Sequence, residues 1–161
     1  MAADHEGFMK MGLEEAERAG AEGNDGVGAV IVRGGSVVAI GRNRIYTTND
    51  PTAHAETDAI RNGGEALVNE PSSDYVLYTT AEPCPMCCAA IMGAGIGTLV
   101  MGGRYQRSRG RWGDWGVERL IDLVGRSDSF QVVTGILVDE CLSVSGKWRE
   151  KNTPGRKSPA L

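Results

Sequence analysis

The chain lacks any long hydrophobic run. None of its 161 residues belongs to a stretch approaching the roughly 20 apolar residues that a membrane helix needs. Its first ten residues, Met1 to Lys10, lack the apolar block of a secretory signal and are acidic and mixed. The expectation is a cytoplasmic protein with no membrane partner. A basic excess is missing as well: 17 Lys and Arg stand against 21 Asp and Glu, for a formal charge of −4. A protein built mainly to grip a polyanion carries the opposite balance, so composition argues against a nucleic acid partner. Arg104, Arg107, Arg109 and Arg111 are the one candidate for a local basic patch, and their simpler reading is a solvated connection. Cysteine is scarce, at four residues. In a reducing compartment a close cysteine pair is more often metal-binding or catalytic than disulfide-bonded. No internal repeat or internal domain boundary is visible. What is present is an ordinary globular composition, 41% hydrophobic and 24% charged, on a chain long enough to bury a core.

Apolar periodicity then places the elements. Met9, Leu13 and Ala16 share one face of a helix expected over Glu6 to Arg18. Ala29 to Val32 and Val37 to Ile40 read as two strands of a hairpin, with Gly34-Gly35 free to take positive φ at the turn. Asn43 to Asp50 reads as irregular. A helix is expected to start at Pro51 and run through His54 and Glu56 to Asn62, where Gly63-Gly64 stops it. Tyr75 to Thr79 is a strand, Pro83 to Met92 a helix and Thr98 to Met101 a strand. Gly102 to Gly116 is a long loop containing Trp112 and Trp115. A helix over Val117 to Val124 follows, then a strand over Gln131 to Val133, with Leu137 as its outer limit. A last helix is capped by Asp139 and reaches Trp148. Strands alternating with helices imply parallel crossovers. The expected fold is α/β, one mixed sheet with helices on both faces, over residues 1–151. Residues 152–161 are expected to form a flexible tail.

The chemistry gathers at the starts of two expected helices, in His54-Ala55-Glu56 and in Pro83-Cys84-Pro85-Met86-Cys87. One imidazole and two thiolates form a three-ligand zinc set, and a catalytic zinc keeps its fourth position for water. Zinc lowers the pKa of that water from about 16 to near 7. A helix start favours thiolates through its dipole. Glu56, two residues beyond His54, points in a neighbouring direction and is placed to act on the water instead of the metal. General acid–base work of this kind is worth roughly 10² to 10⁴ in rate. Against this stand a redox pair and a structural zinc half-site. The latter would need a fourth protein ligand, from Cys141 or His5, Cys88 being poorly placed beside Cys87. Otherwise Cys88 and Cys141 read as small buried hydrophobes.

At these residues the chain resembles the cytidine deaminase-like superfamily, whose zinc deaminases share the H-x-E and P-C-x-x-C signature. The resemblance covers Glu6 to Trp148. The stretch Asn49 to Glu56, with Glu82 to Cys87, is similar to guanine or guanosine deaminases of bacteria and plants. Gly135 to Cys141 is similar to the end of bacterial tRNA adenosine deaminase. Leu77 to Thr80, with Trp148, is similar to fungal cytosine deaminase, which also uses a carboxylate soon after its last tryptophan; Glu150 is the nearest candidate here. The arginine and tryptophan loop at Gly102 to Gly116 matches none of the three.

The resemblance implies a three-layer α-β-α sandwich with a five-stranded mixed sheet, a zinc cofactor, and a homodimer or higher homo-oligomer. It makes Asn43 the residue that hydrogen-bonds the substrate base; its other reading is a turn asparagine. Ala55 and the backbone around Glu82 and Cys84 would orient that base. Trp112, Trp115 and Trp148 are candidates to stack on it or close the site, or equally simple core or interface residues. The favoured reading is hydrolytic deamination of a small free amino-heterocycle, guanine-, cytosine- or isocytosine-like. A tRNA-specific adenosine deaminase and a non-catalytic zinc-stabilised binding module are the alternatives.

Overall fold

The computed structural model describes residues 4–104 and 112–152. Helix α1, His5–Ala21, opens on Asp4, whose carboxylate accepts the Gly7 N–H at 2.8 Å. Strands β1, Gly28–Arg33, and β2, Ser36–Arg42, pair antiparallel with Val30 opposite Ile40. Gly34 and Gly35 both have positive φ, 57° and 79°, as the two-residue hairpin turn demands.

A short helix α2, Ile45–Thr48, occupies part of the segment expected to be irregular. The next helix, α3, is Ala55–Asn62, four residues later than expected. The Asp50 side chain takes both the backbone N–H and the hydroxyl of Thr52, and Ala53 N–H bonds Asp50 O. That turn consumes residues 50–53 and delivers His54 in extended conformation as the helix N-cap. Gly63 does not end helical structure: α4, Gly64–Asn69, begins at once. Then follow β3, Tyr75–Ala81, α5, Pro85–Gly93, and β4, Thr98–Gly103. The chain closes with α6, Val117–Leu123, β5, Gln131–Val133, and α7, Val138–Asn152. β5 has the expected bounds Gln131–Val133 and does not continue to Leu137, which takes a positive φ of 48° just ahead of α7. Asn152, assigned to the tail from sequence, is the last helical residue. Its amide donates to Gly20 O and Asn24 O at 2.9 Å each, which ties the end of α7 to α1. Residues 153–161 lie outside the described part.

The sheet order is β2-β1-β3-β4-β5. β1 runs antiparallel to both its neighbours, while β3, β4 and β5 are parallel, as the alternation of strands and helices implied. Side chains of successive strand residues point to opposite faces, and this splits the core in two. Ala29, Ile31, Leu77, Leu99 and Met101 meet Ala55, Ala59, Cys88, Ile91 and Ile121 on the face covered by α3, α5 and α6. Val30, Val32, Tyr78 and Val100 meet Met9 and Cys141 on the face covered by α1 and α7. The result is the expected three-layer α-β-α sandwich on a five-stranded mixed sheet. Among the described residues no helix is long and apolar enough to cross a membrane.

Candidate metal centre and active site

Two helix starts meet beside the C-terminal end of β3. His54 caps α3, and Cys84 caps α5 with Pro85 at the first helical position. Cys87 follows one turn later and is fully buried. Ligand atoms of His54, Cys84 and Cys87 lie within 4.8 Å of one another. Cys84 Sγ stands 3.7 Å from His54 Nδ1. A tetrahedral zinc with Zn–S near 2.3 Å and Zn–N near 2.0 Å spaces its donors by roughly 3.5–3.8 Å, so that pair already has the right separation. One borderline nitrogen and two soft sulfurs are a donor set that suits zinc. No fourth ligand joins the group among the described residues. Cys88 packs in the core under α5, Cys141 lies on the opposite face of the sheet, and His5 bonds the Tyr78 hydroxyl. Three ligands with one open position is the pattern of a reactive site, not of a closed structural one. Such a bound zinc would supply an acidified water.

Glu56 is 3% exposed and its Oε1 accepts the Thr79 hydroxyl at 3.2 Å. Burial pushes its carboxyl above the ordinary range; the charge of His54 opposes this and that of Cys84 adds to it. Burial alone would lower His54, but the hydrogen bond with Cys84 and the charge of Glu56 turn the net shift upward. The Cys87 hydrogen bond brings the Cys84 thiol down to about 4 against burial, with His54 helping, while Cys87 itself is driven upward. One sulfur of the pair is therefore ready as thiolate before any metal binds.

These residues border a cleft lined by Val27, Asn43, His54, Ala55, Glu56, Ala81, Glu82 and Cys84. Asn43, 3% exposed, is fixed from both sides. Its N–H donates to Val27 O at 3.0 Å, and its Oδ1 accepts the Ile45 N–H at 3.2 Å. Ala55 lies at the cleft as expected. Glu82 does too, but its carboxylate is committed elsewhere: it accepts from Arg104 at 2.9 Å and from the Val117 N–H at 3.2 Å. It thereby caps α6 and braces the turn that carries Cys84. Arg104, read as part of a solvated run, is half-buried between Glu82 and Glu118. The other arginines of that run, 107, 109 and 111, lie outside the described residues.

None of the three tryptophans is among the residues lining the cleft. Trp115 packs against the core, and its Nε1 donates to Pro83 O at 3.0 Å, one residue before Cys84. Trp112 is 38% exposed. Trp148 is buried between α1 and α7, and its Nε1 donates to Glu17 at 2.8 Å. Glu150 is an exposed residue of α7 and does not line the cleft. The sequence reading missed Val27, Ala81 and Thr79. Only Thr79 carried a signal, a hydroxyl at a strand position whose alternation faces the core.

A mixed sheet that sets an open three-ligand metal site beside a buried carboxylate defines a metal-dependent hydrolase of the deaminase type. The comparison is specific: residues 2–103 match the cytidine and deoxycytidylate deaminase zinc-binding region, and the chain belongs to that family. It is 34% identical over 153 residues to the tRNA-specific adenosine deaminase of Haemophilus influenzae, across 94% of this chain and 87% of that protein. It is 46% identical over 91 residues to the guanine deaminase of Bacillus subtilis, across 55% of this chain and 57% of that protein. Over 95 residues, 59% of this chain, it is 45% identical to the chloroplastic tRNA(adenine(34)) deaminase of Arabidopsis thaliana, of which it spans only 7%. A solved structure from work on A-to-I editing by tRNA:A34 deaminases at the wobble position superposes with a TM-score of 0.74. It shares 36% identity and covers 86% of this chain and 98% of its own.

Proposed function

We propose that this protein is a tRNA adenosine deaminase, converting adenosine to inosine at the wobble position with release of ammonia. The observation that carries the reading is the 34% identity to a tRNA-specific adenosine deaminase over nearly the full length of both chains. The free-base reading preferred on sequence grounds drew on the similarity of Asn49 to Glu56 and Glu82 to Cys87 to guanine deaminases, and the acidic balance was what weighed against RNA. Net charge is a sum over the whole surface, whereas phosphate contacts need only local cations. The last turn of α7 carries Arg149 and Lys151, beside a Lys147 already paired with Glu17, so the overall charge of −4 does not by itself describe the local balance.

In this reading Asn43 holds the edge of the base in the cleft. Glu56 takes one proton from the attacking water and passes it to the ring nitrogen beside the amine-bearing carbon, then takes the remaining proton of the new hydroxyl and delivers it to the departing amine as the carbonyl forms. Water adds to that carbon, the C–N bond breaks, and ammonia leaves. A homo-oligomer belongs to the same proposal, and light scattering on the eluting protein reads it.

Deamination of guanine is the second reading, supported by the 46% identity to a guanine deaminase. The test gives zinc-loaded protein an anticodon stem-loop with adenosine at the first anticodon position, and separately free guanine. Inosine in the digested RNA is the expected result. Turnover of guanine with an untouched stem-loop would replace the first reading by the second.

A further inference from the structure

Thr79 is a buried hydroxyl on the face of β3 that otherwise supplies apolar groups. Tyr75 and Leu77, at alternate positions of the strand, are core residues beneath α3 and α5, and Ala81 packs against the same cluster. A hydroxyl there costs stability unless it is bonded. It has two acceptors, Glu56 Oε1 at 3.2 Å and Ala81 O at 3.0 Å. The neighbouring Thr80, on the other face, accepts the Gly28 N–H at 3.1 Å and serves the sheet. Of the two threonines, Thr79 is the one directed at the carboxylate, whose other contacts are with the Cys87 thiol, a metal-ligand candidate, and its own backbone.

We propose that Thr79 is a positioning residue, whose hydroxyl fixes the plane of the Glu56 carboxylate so that it serves the cleft. This rests on Glu56 being the proton carrier. The last torsion of a glutamate is broad and roughly two-fold, so a carboxylate without a fixed partner samples several planes. Bonding Oε1 to a rigid strand removes that freedom. A hydroxyl donates as well as accepts. It therefore holds the group when ionised by donating to Oε1, and when protonated by accepting from it while turning its own proton to Ala81 O. A proton carrier needs the same placement in both conditions, because displacements of about 1 Å are costly in catalysis.

The test compares T79V, T79S and E56Q with wild type in the zinc-loaded protein. The substrate is the stem-loop or guanine, whichever the wild type turns over. T79V is expected to lower kcat by roughly 10-fold or more, as loss of a bond supporting a reacting group typically does. KM, zinc content and melting temperature should stay near wild type, and T79S should restore kcat. Wild-type kcat in T79V overturns the proposal, and so does a loss confined to KM, zinc content or stability. Retained turnover in E56Q would instead remove the proton-carrier reading. A crystal structure of T79V tests the same point without turnover: a displaced Glu56 carboxylate is expected, and an unmoved one overturns the proposal.

Discussion

Cys84 Sγ and His54 Nδ1 lie 3.7 Å apart although 30 residues separate them in the chain. Each is the N-cap of its helix, so the contact records how α3 and α5 dock start to start. It also helps bring the Cys84 thiol down to about 4, chiefly an effect of the Cys87 hydrogen bond. Burial has the reverse effect on the other two cysteines, pushing Cys88 up to about 12 and Cys141 up to about 11.

Thiolates, not thiols, react with alkylating agents. Chelator-stripped protein treated with iodoacetamide at neutral pH should therefore be modified first at Cys84, with Cys88 and Cys141 untouched until the chain unfolds. Added zinc should protect Cys84. Peptide mapping by mass spectrometry reads all four sites at once, and equal modification of the four would contradict the electrostatics described here.

Glu56 gives stability a pH dependence in the metal-free protein. Its folded pKa is raised, chiefly by burial, above the ordinary 4.5. Below about pH 4.5 both folded and unfolded chains hold the proton, and the group contributes nothing. As the pH rises through that value the unfolded chain ionises first, so stability falls until the folded carboxyl also ionises, and the deficit persists at higher pH. Metal-free E56Q should thus be more stable than metal-free wild type at pH 7.5. Their urea midpoints should converge as the pH falls to 4.5.

Gly41 of β2 faces the backbone of α3, where an added Cβ would overlap Ala59 N and Ala55 O. A helix backbone cannot rotate away as a side chain can, so G41A must push α3 off the sheet. Overpacking of this sort costs about 1–3 kcal/mol. Because α3 carries His54 and Glu56 at its start, zinc retention should fall with stability. G93A is the control: nothing lies within 4 Å of a Cβ there, and alanine in a helix gains up to about 1 kcal/mol over glycine. Zinc content and melting temperature of the two variants should diverge.

The candidate site residues were legible because their chemistry is carried by residue type and spacing. His54, Glu56, Cys84 and Cys87 needed no tertiary information to be picked out, and the sheet followed from apolar alternation. Element starts were less legible. Pro51 signals a first helical turn as well as Pro85 does, yet the Asp50 side chain captures Thr52 and delays α3 to Ala55. Roles set by distant partners were hidden altogether. Glu82 was read for its backbone, and nothing in the sequence shows that Arg104 holds its carboxylate; Trp115 finds its partner at Pro83, 32 residues away. Net charge bears only weakly on the choice between a free base and RNA for a related reason, since it says nothing about where cations sit.

Trp148 illustrates the same difficulty and supplies a sharp test. It was a candidate to close over the substrate, but its indole fills a slot between α1 and α7. Gly20 and Gly26 leave room for the ring, and Ala16 and Val144 complete the slot. Its Nε1 donates to Glu17, and Lys147 and Lys151 each hold their Nζ 4.7 Å from the ring centre. These contacts make it a clasp joining the first and last helices. W148F retains most of the ring but loses the hydrogen bond, a loss of about 1–2 kcal/mol for a charged acceptor. W148A leaves a cavity and should cost about 3–5 kcal/mol. Both losses are readable as urea midpoints. W148F should keep kcat/KM within about 2-fold of wild type on whichever substrate the wild type turns over, because its slot is separate from the cleft at His54 and Glu56. A drop beyond 10-fold in a W148F protein that remains folded and zinc-loaded would return Trp148 to the substrate.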